Sequence, residues 1–570
     1  MLGVLRHRGP DDSGCFSDST AWIGHQPMAN EDSTVRITYN GELFNHASLR
    51  PELQRAGHRY QTNCGTEAIL HAHERHGVEC VRRFRGMFAF AVWDQRRKRL
   101  FAFASEIKAL LEHPSISAGL EASLLPEYLA FGFTSGERTL FAGIRKLMPG
   151  HTPTLELEDG AAKLDIERYW DVPEHGPGER RPDEDWIREC GQRLEETVRM
   201  RPMSDVPLGV FLSGGVDSSA ITALVKRRAS GPVETLAVGY REVTVSMQEF
   251  FEALPRSIWH EDEPIAWPCS VSLYFVSKLA SERVKVAPTG EGSDELFAGY
   301  SRYRFYLLNR RWAAAWRLLP AGLRRRIRGW VAETRLLPAG LRRKLRHTPV
   351  GQGEALESLY LDNFYSAFPA SEQAGLPGSD QSDEPYRNFL GYWNARTGAS
   401  LVERMLYADQ KTYPVELPMK QDQMSMATSI ESRVPFLDHP FVEFSARAPQ
   451  RLKIRGRTAK YILKRAVEDL LPADIIHRRK MGFPTPLREW LRRPEAAPLL
   501  ERLGYKHGLR AEYLDRSAVA LQQVRHKNGW EDATDRIGRL LNLQLWGDIF
   551  ITGRGGRGAF ESAAPTLRTP

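Results

Sequence analysis

Residues 206–219 read VPLGVFLSGGVDSS. Val210, Phe211 and Leu212 form a short apolar run with the character of a buried strand. Ser213, Gly214, Gly215, Val216, Asp217, Ser218 and Ser219 follow, and then Ala220, Ile221, Leu224 and Val225 fall on one helical face. Strand, Ser/Gly loop and helix start together make an anion cradle. The glycines let the backbone approach an anion, and the helix start presents unpaired amides and the positive end of its dipole. Asp217 beside a bound anion calls for a metal ion between them, so the stretch predicts a Mg2+-bound polyphosphate, ATP foremost. The Lys of G-x-x-x-x-G-K-S/T is absent, so this is not a Walker A loop. A Ser-capped helix after a Gly turn is the plainer alternative. Seven residues falling into one pattern weigh against it.

A second loop follows the apolar run Val284–Ala287: Thr289-Gly290-Glu291-Gly292-Ser293-Asp294-Glu295-Leu296-Phe297-Ala298-Gly299-Tyr300. Three acids at one helix start could serve only the helix dipole. Alternating glycines point instead to close backbone approach. If Asp294 faces Asp217 across neighbouring strand ends, the two hold Mg2+ on the pyrophosphate, at the carboxyl edge where open α/β sheets bind ligands.

The rest of the chain sets the frame. It has 570 residues, enough for two to four domains, and 42% hydrophobic and 26% charged residues, as in soluble globular proteins. A net charge of +8 over this length is a weak argument for nucleic acid. Five scattered cysteines, Cys15, Cys64, Cys80, Cys190 and Cys269, form no CxxC pair, which fits a reduced cytoplasmic protein without structural zinc. No apolar run reaches 18 residues, and MLGVLRHRGPDD lacks a signal-peptide core. Alternating runs at Val35–Tyr39 and Phe88–Trp93, with a helical stretch from Glu67 to His76, suggest an α+β domain with antiparallel sheets. From Trp186 onward, helices alternate with apolar strands at Val210–Leu212, Thr235–Val238 and Val284–Ala287, which suggests a parallel α/β sheet. LLPAGLRR occurs twice, at Leu318–Arg325 and Leu336–Arg343. Trp312, Trp316 and Trp330 sit at helix-core spacing nearby, which favours two Arg-covered amphipathic helices over an RNA-binding platform.

SGGVDSS and TGEGSDELFAGY together resemble the glutamine-dependent asparagine synthetase family, class II amidotransferases of the B type. HRGPDDSG (7–14), GHQPMANED (24–32), YNGELFNH (39–46), RGMFAFAVWD (85–94) and ASEIKALL (104–111) are similar to its glutaminase domain. SIESRVPFLDH (429–439), GRTAKYILKRA (456–466) and RRKMGFPTPL (478–487) are similar to its synthetase domain. The resemblance implies a truncated N-terminal-nucleophile-hydrolase α/β/β/α sandwich over 1–155, a linker over 156–185, and an α/β ATP-pyrophosphatase domain over 186–550. A tail over 551–570 is expected to be disordered.

It implies adenylation of the aspartate β-carboxylate by ATP and amidation by ammonia, giving asparagine, AMP and pyrophosphate. Leu212, Val238, Thr289 and Gly290 match the adenine and ribose contacts. Ser213, Gly214, Gly215, Asp217, Ser218 and Ser219 match the pyrophosphate cradle, and Asp217 and Asp294 the Mg2+ ligands. Lys460 matches a phosphate-binding catalytic Lys, Glu291 the base that deprotonates ammonium, and Glu295 and Arg433 the aspartate contacts. The partners implied are aspartate and ammonia or glutamine, with a homodimer compatible, and no nucleic acid or membrane.

The chain departs from the family pattern in both halves. The family's glutaminase nucleophile is an N-terminal Cys, whereas residue 2 here is Leu and Cys15 lies beyond HRGPD, so no nucleophile is assigned. The segment between Gly24 and His25 that carries a glutamine-binding Arg is missing, and Gly65 stands where an Asp should bind the glutamine amine. A stretch between Phe103 and Ala104 is also missing. Asn40, Gly41 and Glu42 remain as a glutamine-binding remnant, and the glutaminase half is expected to be inactive. After Leu236–Val238 a crossover helix is missing near Tyr240, leaving room only for a hairpin, and Pro288 falls in an expected central strand. The other readings are a β-lactam-synthetase-like or other amidotransferase relative acting on a different carboxylate, a catalytically dead ATP-binding scaffold, and a sequence with segments wrongly excised.

Overall fold

The computed structural model describes residues 3–8, 15–17, 22–24, 28–95, 99–100, 104–158, 161–174, 181–201, 206–228, 233–236, 244–334, 337–338, 341, 344–345, 347–351, 353–373, 385–478, 485–504 and 516–552.

In the first half, β1 (Cys15–Ser17) and β2 (Trp22–Gly24) form a two-stranded antiparallel pair. β3 (Met28–Ala29) and β4 (Val35–Leu43) precede helices α1 (His46–Arg55) and α2 (Gly65–His76). β5 (Gly86–Asp94), β6 (Arg99–Leu100), the short helices α3 (Ile107–Leu110) and α4 (Leu125–Phe131), β7 (His151–Glu158) and β8 (Ala161–Arg168) follow. β3 to β8 lie in sequence order in one antiparallel six-stranded sheet. Val35 and Ile37 of β4 point to one face, as strand alternation requires, and meet Leu49 and Leu53 of α1 and Ala68, Ile69 and Ala72 of α2. Helices over one face and an antiparallel sheet give the expected α+β half.

Two stretches pair or pack differently from what sequence order suggests. Residues 156–158 and 161–168, expected to be linker, are paired strand in the first sheet. Residues 107–144, expected in the first domain, leave the sheet and join another core. There Leu111, Tyr128 and Phe141 pack with Trp259, Leu541 and Trp546. The Tyr128 hydroxyl donates to the Arg539 carbonyl at 2.8 Å, and Phe141 meets Trp546 edge-on. Apolar periodicity marks a helix face but not its partner, so sequence order misled here.

The second half begins with α5 (Asp183–Met200) and continues with β9 (Gly209–Phe211), α6 (Val216–Arg228), β10 (Glu234–Leu236), α7 (Met247–Glu261), α8 (Cys269–Ser281), β11 (Val286–Pro288) and α9 (Ser293–Leu296). After α10 (Ser301–Arg317) and α11 (Ala321–Glu333), the long helix Leu401–Met426 leads to β12 (Glu431–Arg433). β10 pairs with β9 and β11 with β12, both in parallel, and a parallel bridge from Leu208 to Val286 joins the pairs in the order β10-β9-β11-β12. This is the expected parallel α/β sheet. The hairpin expected near Tyr240 falls in 237–243, outside the described residues. The chain passes from β10 to β11 through α7 and α8, a helical connection of the kind parallel strands need. Pro288 is the last residue of β11, and the ladder continues past it as the Thr289 N–H donates to the Arg433 carbonyl at 2.8 Å. An N–H-less residue is tolerated at that end.

The basic repeat also differs. Trp316 packs against Val331 and Val350, but Trp312 and Trp330 are 41% and 51% exposed, so only one of the three tryptophans is a core residue. The second copy lies partly outside the described residues, as does the tail from 553. Among the described residues no helix is long and apolar enough to cross a membrane.

The halves meet at Asp438. Its carboxylate accepts hydrogen bonds from Arg85 on the first sheet's side at 2.6 and 3.1 Å and from Thr197 of α5 at 2.6 Å, with Arg201 at 3.5 Å. Burial would raise the Asp438 pKa, but Arg85 and Arg201 outweigh it and hold the group below its ordinary value. Removing one partner of such a buried group strands the others. Asp438→Ala is therefore expected to cost about 3–5 kcal/mol in urea unfolding, against about 1 kcal/mol or less for the exposed Arg188–Asp185 pair.

Candidate active site

Two loops face each other at the carboxyl ends of β9 and β11. The first turns at Gly214, whose φ of +74° is a glycine conformation. Its Ser213 N–H donates to the Ser218 Oγ at 3.1 Å, and the two hydroxyl oxygens lie 3.0 Å apart. The loop therefore folds back on the first turn of α6. Arg478 reaches it and donates to the Gly214 carbonyl at 3.4 Å.

The second loop turns at Gly292, φ +94°, which stands at the start of α9. A Cβ on Gly290 would lie 2.8 Å from the Ser218 amide nitrogen, so glycine here lets one loop press on the other. The Thr289 hydroxyl accepts from the Glu291 N–H at 3.2 Å.

Lys460 joins them. Its Nζ lies 2.7 Å from Asp217 Oδ2, 2.8 Å from Asp294 Oδ1 and 2.7 Å from Ser293 Oγ, and the residue is 5% exposed. Burial alone would lower its pKa, but the two carboxylates raise it. Its backbone is left-handed, φ +52°, unusual for a residue with a Cβ, and its N–H donates to the Phe297 carbonyl at 3.2 Å. A Cβ on Gly299 would sit 1.9 Å from Asp294 Oδ1 and 2.1 Å from Lys460 Cε. Gly299 thus leaves the channel through which Lys460 reaches the acids. Sequence reading assigned no role to Gly299 or Ser293, although both lie inside the quoted motif. Their part depends on Lys460, which is distant in sequence.

The two carboxylates outnumber the one ammonium, and Asp217 Oδ1 is buried without a hydrogen-bond partner among the described residues. An orphaned buried acceptor in an anionic pair fits a bound divalent cation. Glu295 is buried beside this pair. Burial first, and then the neighbouring Asp294 charge, push its pKa up to about 7, while the Tyr300 hydroxyl, 2.5 Å from Oε1, opposes the shift.

Of the expected site residues, the structure brings together Ser213, Gly214, Gly215, Asp217, Ser218, Ser219, Thr289, Gly290, Glu291, Asp294, Glu295 and Lys460. Leu212 lies at the β9 end of the first loop. Val238 is outside the described residues. Arg433 is directed elsewhere: it donates from Nε to Glu431 at 2.8 Å and from a terminal nitrogen to the Arg201 carbonyl, with Glu42 at 3.6 Å. Its backbone carbonyl accepts from the Thr289 N–H at 2.8 Å. In the first half, Asn40 is exposed on β4, Gly41 has φ +134° with no room for a Cβ against the Met87 carbonyl, and Glu42 faces Arg433.

A glutamine-amidotransferase half joined to a parallel α/β half with this loop pair defines a carbon–nitrogen ligase. The Asparagine synthase family profile matches residues 189–243 and 240–548, and the Glutamine amidotransferase domain profile matches 1–102 and 99–170. The chain belongs to the asparagine synthase family. A Bacillus subtilis (strain 168) relative, asparagine synthetase (glutamine-hydrolyzing) 1, is 30% identical over 549 positions, covering 86% of this chain and 84% of its own. Asparagine synthetase (glutamine-hydrolyzing) 3 of the same organism is 28% identical over 558 positions, covering 85% and 83%. A Mycobacterium tuberculosis (strain ATCC 25618 / H37Rv) relative is 33% identical over 628 positions, covering 96% and 93%.

These relatives do not favour a different carboxylate substrate or a dead scaffold. That last alignment is longer than the chain's 570 residues, so the relative carries segments with no counterpart here. Both profile matches are split in two, at 99–102 and at 240–243, beside the gaps expected near Phe103 and Tyr240.

Glu295 supplies a pH test. With its folded pKa above the unfolded value, the protonated form is favoured on folding. Its contribution is present below about 4.5 and is lost as pH rises through about 7. Wild-type stability should fall by an amount on the order of 2–3 kcal/mol across that window through this group. Glu295→Gln, which mimics the neutral acid, should flatten the profile in thermal or urea melts.

Proposed function

We propose that this chain makes asparagine: ATP activates the aspartate β-carboxylate as an adenylate, pyrophosphate leaves, and ammonia displaces AMP. The observation that carries this reading is the buried Lys460 set between Asp217 and Asp294 where two glycine loops meet at neighbouring strand ends. Such a cluster stabilises little by itself, and its net negative charge suits a divalent cation that would link it to an anionic nucleotide tail.

The Ser213–Ser219 loop and the start of α6 would direct amides at the pyrophosphate. Asp217 and Asp294 would hold Mg2+, which when bound neutralises charge on the departing pyrophosphate. The Lys460 ammonium would hold the phosphate of the adenylate. Leu212, Thr289 and Gly290 would line the nucleoside, and Val238 matches a further contact by its place in the sequence. Glu291, held at its N–H by Thr289, would take the proton from ammonium. Glu295, poised to titrate near neutrality, would donate to the aspartate. Cys64, Cys80, Cys190 and Cys269 carry free thiols, in keeping with a cytoplasmic enzyme.

With aspartate, ammonium and Mg-ATP, the products should be AMP and pyrophosphate in equal amounts. ADP as the main nucleotide product would sink the proposal. Asp217→Asn should lower kcat by at least about 100-fold, because it removes a charge that acts on the leaving pyrophosphate.

Gly65, where the family pattern has an Asp for the glutamine amine, gives a second test. Loss of one charged contact costs about 1.5–3 kcal/mol, so in equilibrium titration this chain should bind glutamine about 10–100-fold more weakly than its Gly65→Asp variant does. Steady-state assays with glutamine and with ammonium separate the two donors.

A further inference from the structure

Away from the nucleotide loops, the first half gathers two histidines and two glutamates from three separate segments. Glu31 lies in the turn between β3 and β4, His58 in the loop after α1, and His71 and Glu74 one helical turn apart on α2. One ligand atom from each lies within 4.8 Å of all the others. Glu74 Oε2 is 3.2 Å from His71 Nδ1 and 3.6 Å from His58 Nδ1, and Glu31 Oε1 is 4.0 Å from His71 Nδ1.

Ligands on a tetrahedral ion at about 2.0–2.1 Å stand about 3.3–3.4 Å apart. Glu74 Oε2 already stands near that spacing from both His71 Nδ1 and His58 Nδ1, and the more exposed Glu31 would close the fourth side.

The surrounding contacts are those of an oriented site. Asn30 donates from Nδ2 to Glu74 Oε1 at 2.7 Å, and its own Oδ1 accepts from the Val35 N–H at 3.0 Å. That leaves Glu74 Oε2 for the cluster. The Arg59 N–H donates to Glu31 Oε1 at 3.1 Å. His71, 2% exposed, turns Nε2 towards Glu67 Oε1, 3.8 Å away, and that nitrogen has no hydrogen-bond partner among the described residues. Glu67 is itself fixed by the Gln61 and Thr62 N–H groups at 2.6 and 2.8 Å. A ligating imidazole with a carboxylate behind its other nitrogen is a recurring second layer of metal sites.

We propose that Glu31, His58, His71 and Glu74 form a binding site for a divalent transition metal of the Zn2+ class. Imidazole and carboxylate together suit Zn2+ better than Mg2+, which prefers all-oxygen octahedra. The ion would tie the β3–β4 turn and the loop after α1 to α2, clamping the helical layer over the first sheet. Without an ion, the hydrogen bond between His71 Nδ1 and Glu74 Oε2 would account for that pair alone, with no need for His58 or Glu31 as ligands.

Titration of the metal-free full chain with Co2+ separates the two. The site predicts one four-coordinate Co2+ per chain, read by its intense visible absorption and displaced by Zn2+, whereas an ion on the oxygens of Asp217 and Asp294 would be six-coordinate and absorb weakly. His58→Gln and Glu31→Gln should each weaken binding at least 10-fold, and Asp217→Asn, at the other end of the molecule's chemistry, should leave it unchanged. Glu31 is 40% exposed at its side chain, so Glu31→Gln keeps the test decisive if His58→Gln fails to fold. Absence of the band, or a band that survives both substitutions, overturns the proposal.

Discussion

The buried ammonium of Lys460 is the interaction on which the active-site half depends. Asp217 and Asp294 stand on loops from adjoining strands, and two carboxylates cannot be drawn together out of water without a cation. Lys460 supplies one positive charge and the pair two negative ones, so the balance is struck short of neutrality. Three features of the chain follow from this. Gly290 lets the loops touch, Gly299 leaves the lysine's path open, and Lys460 accepts a left-handed backbone to enter. The residual negative charge and the orphaned oxygen of Asp217 are what a stability argument alone would not leave in place.

A second set of buried charges fixes the halves against each other. Asp438 collects Arg85 from the first sheet's side and Thr197 and Arg201 from α5 and its end. Arg433, five residues earlier, faces Glu42 of β4 with its side chain while its carbonyl accepts from the Thr289 N–H. One residue of β12 thus touches β4 of the first half with its side chain and the Thr289 loop of the second with its backbone. The Arg433 guanidinium, expected from the sequence to contact aspartate, is directed here to carboxylate and carbonyl acceptors.

Asp409 plays the same part within the second half. It stands on the helix Leu401–Met426 and accepts from Arg302 at 2.9 Å and from the hydroxyls of Tyr303 and Tyr365 at 2.6 and 2.5 Å. Since Arg302 and Tyr303 begin α10 just after the Gly299 turn, this hub holds the far end of the loop that carries Asp294. Burial and fully paired polar groups make such a hub costly to disturb.

By itself the sequence determined the two loops, their glycines and acids, the alternation of strand and helix in the second half, and the antiparallel strands of the first. Each is a local pattern: a run of apolar residues, a period of two or of 3.6, a glycine where an anion approaches. Even the gaps near Phe103 and Tyr240 were visible, because the motif order skips there. Only the tertiary structure decided that Lys460 lies between Asp217 and Asp294, that Ser293 and Gly299 serve it, and that Arg433 turns to Glu42. It also decided that residues 107–144 pack with α7 and the helix Thr534–Trp546 rather than with the sheet they follow, and that Glu31, His58, His71 and Glu74 converge. The physical reason is the same in every case. Local patterning fixes which face of an element is buried, but which partner covers that face is set by contacts between residues tens to hundreds of positions apart, and no local period encodes them.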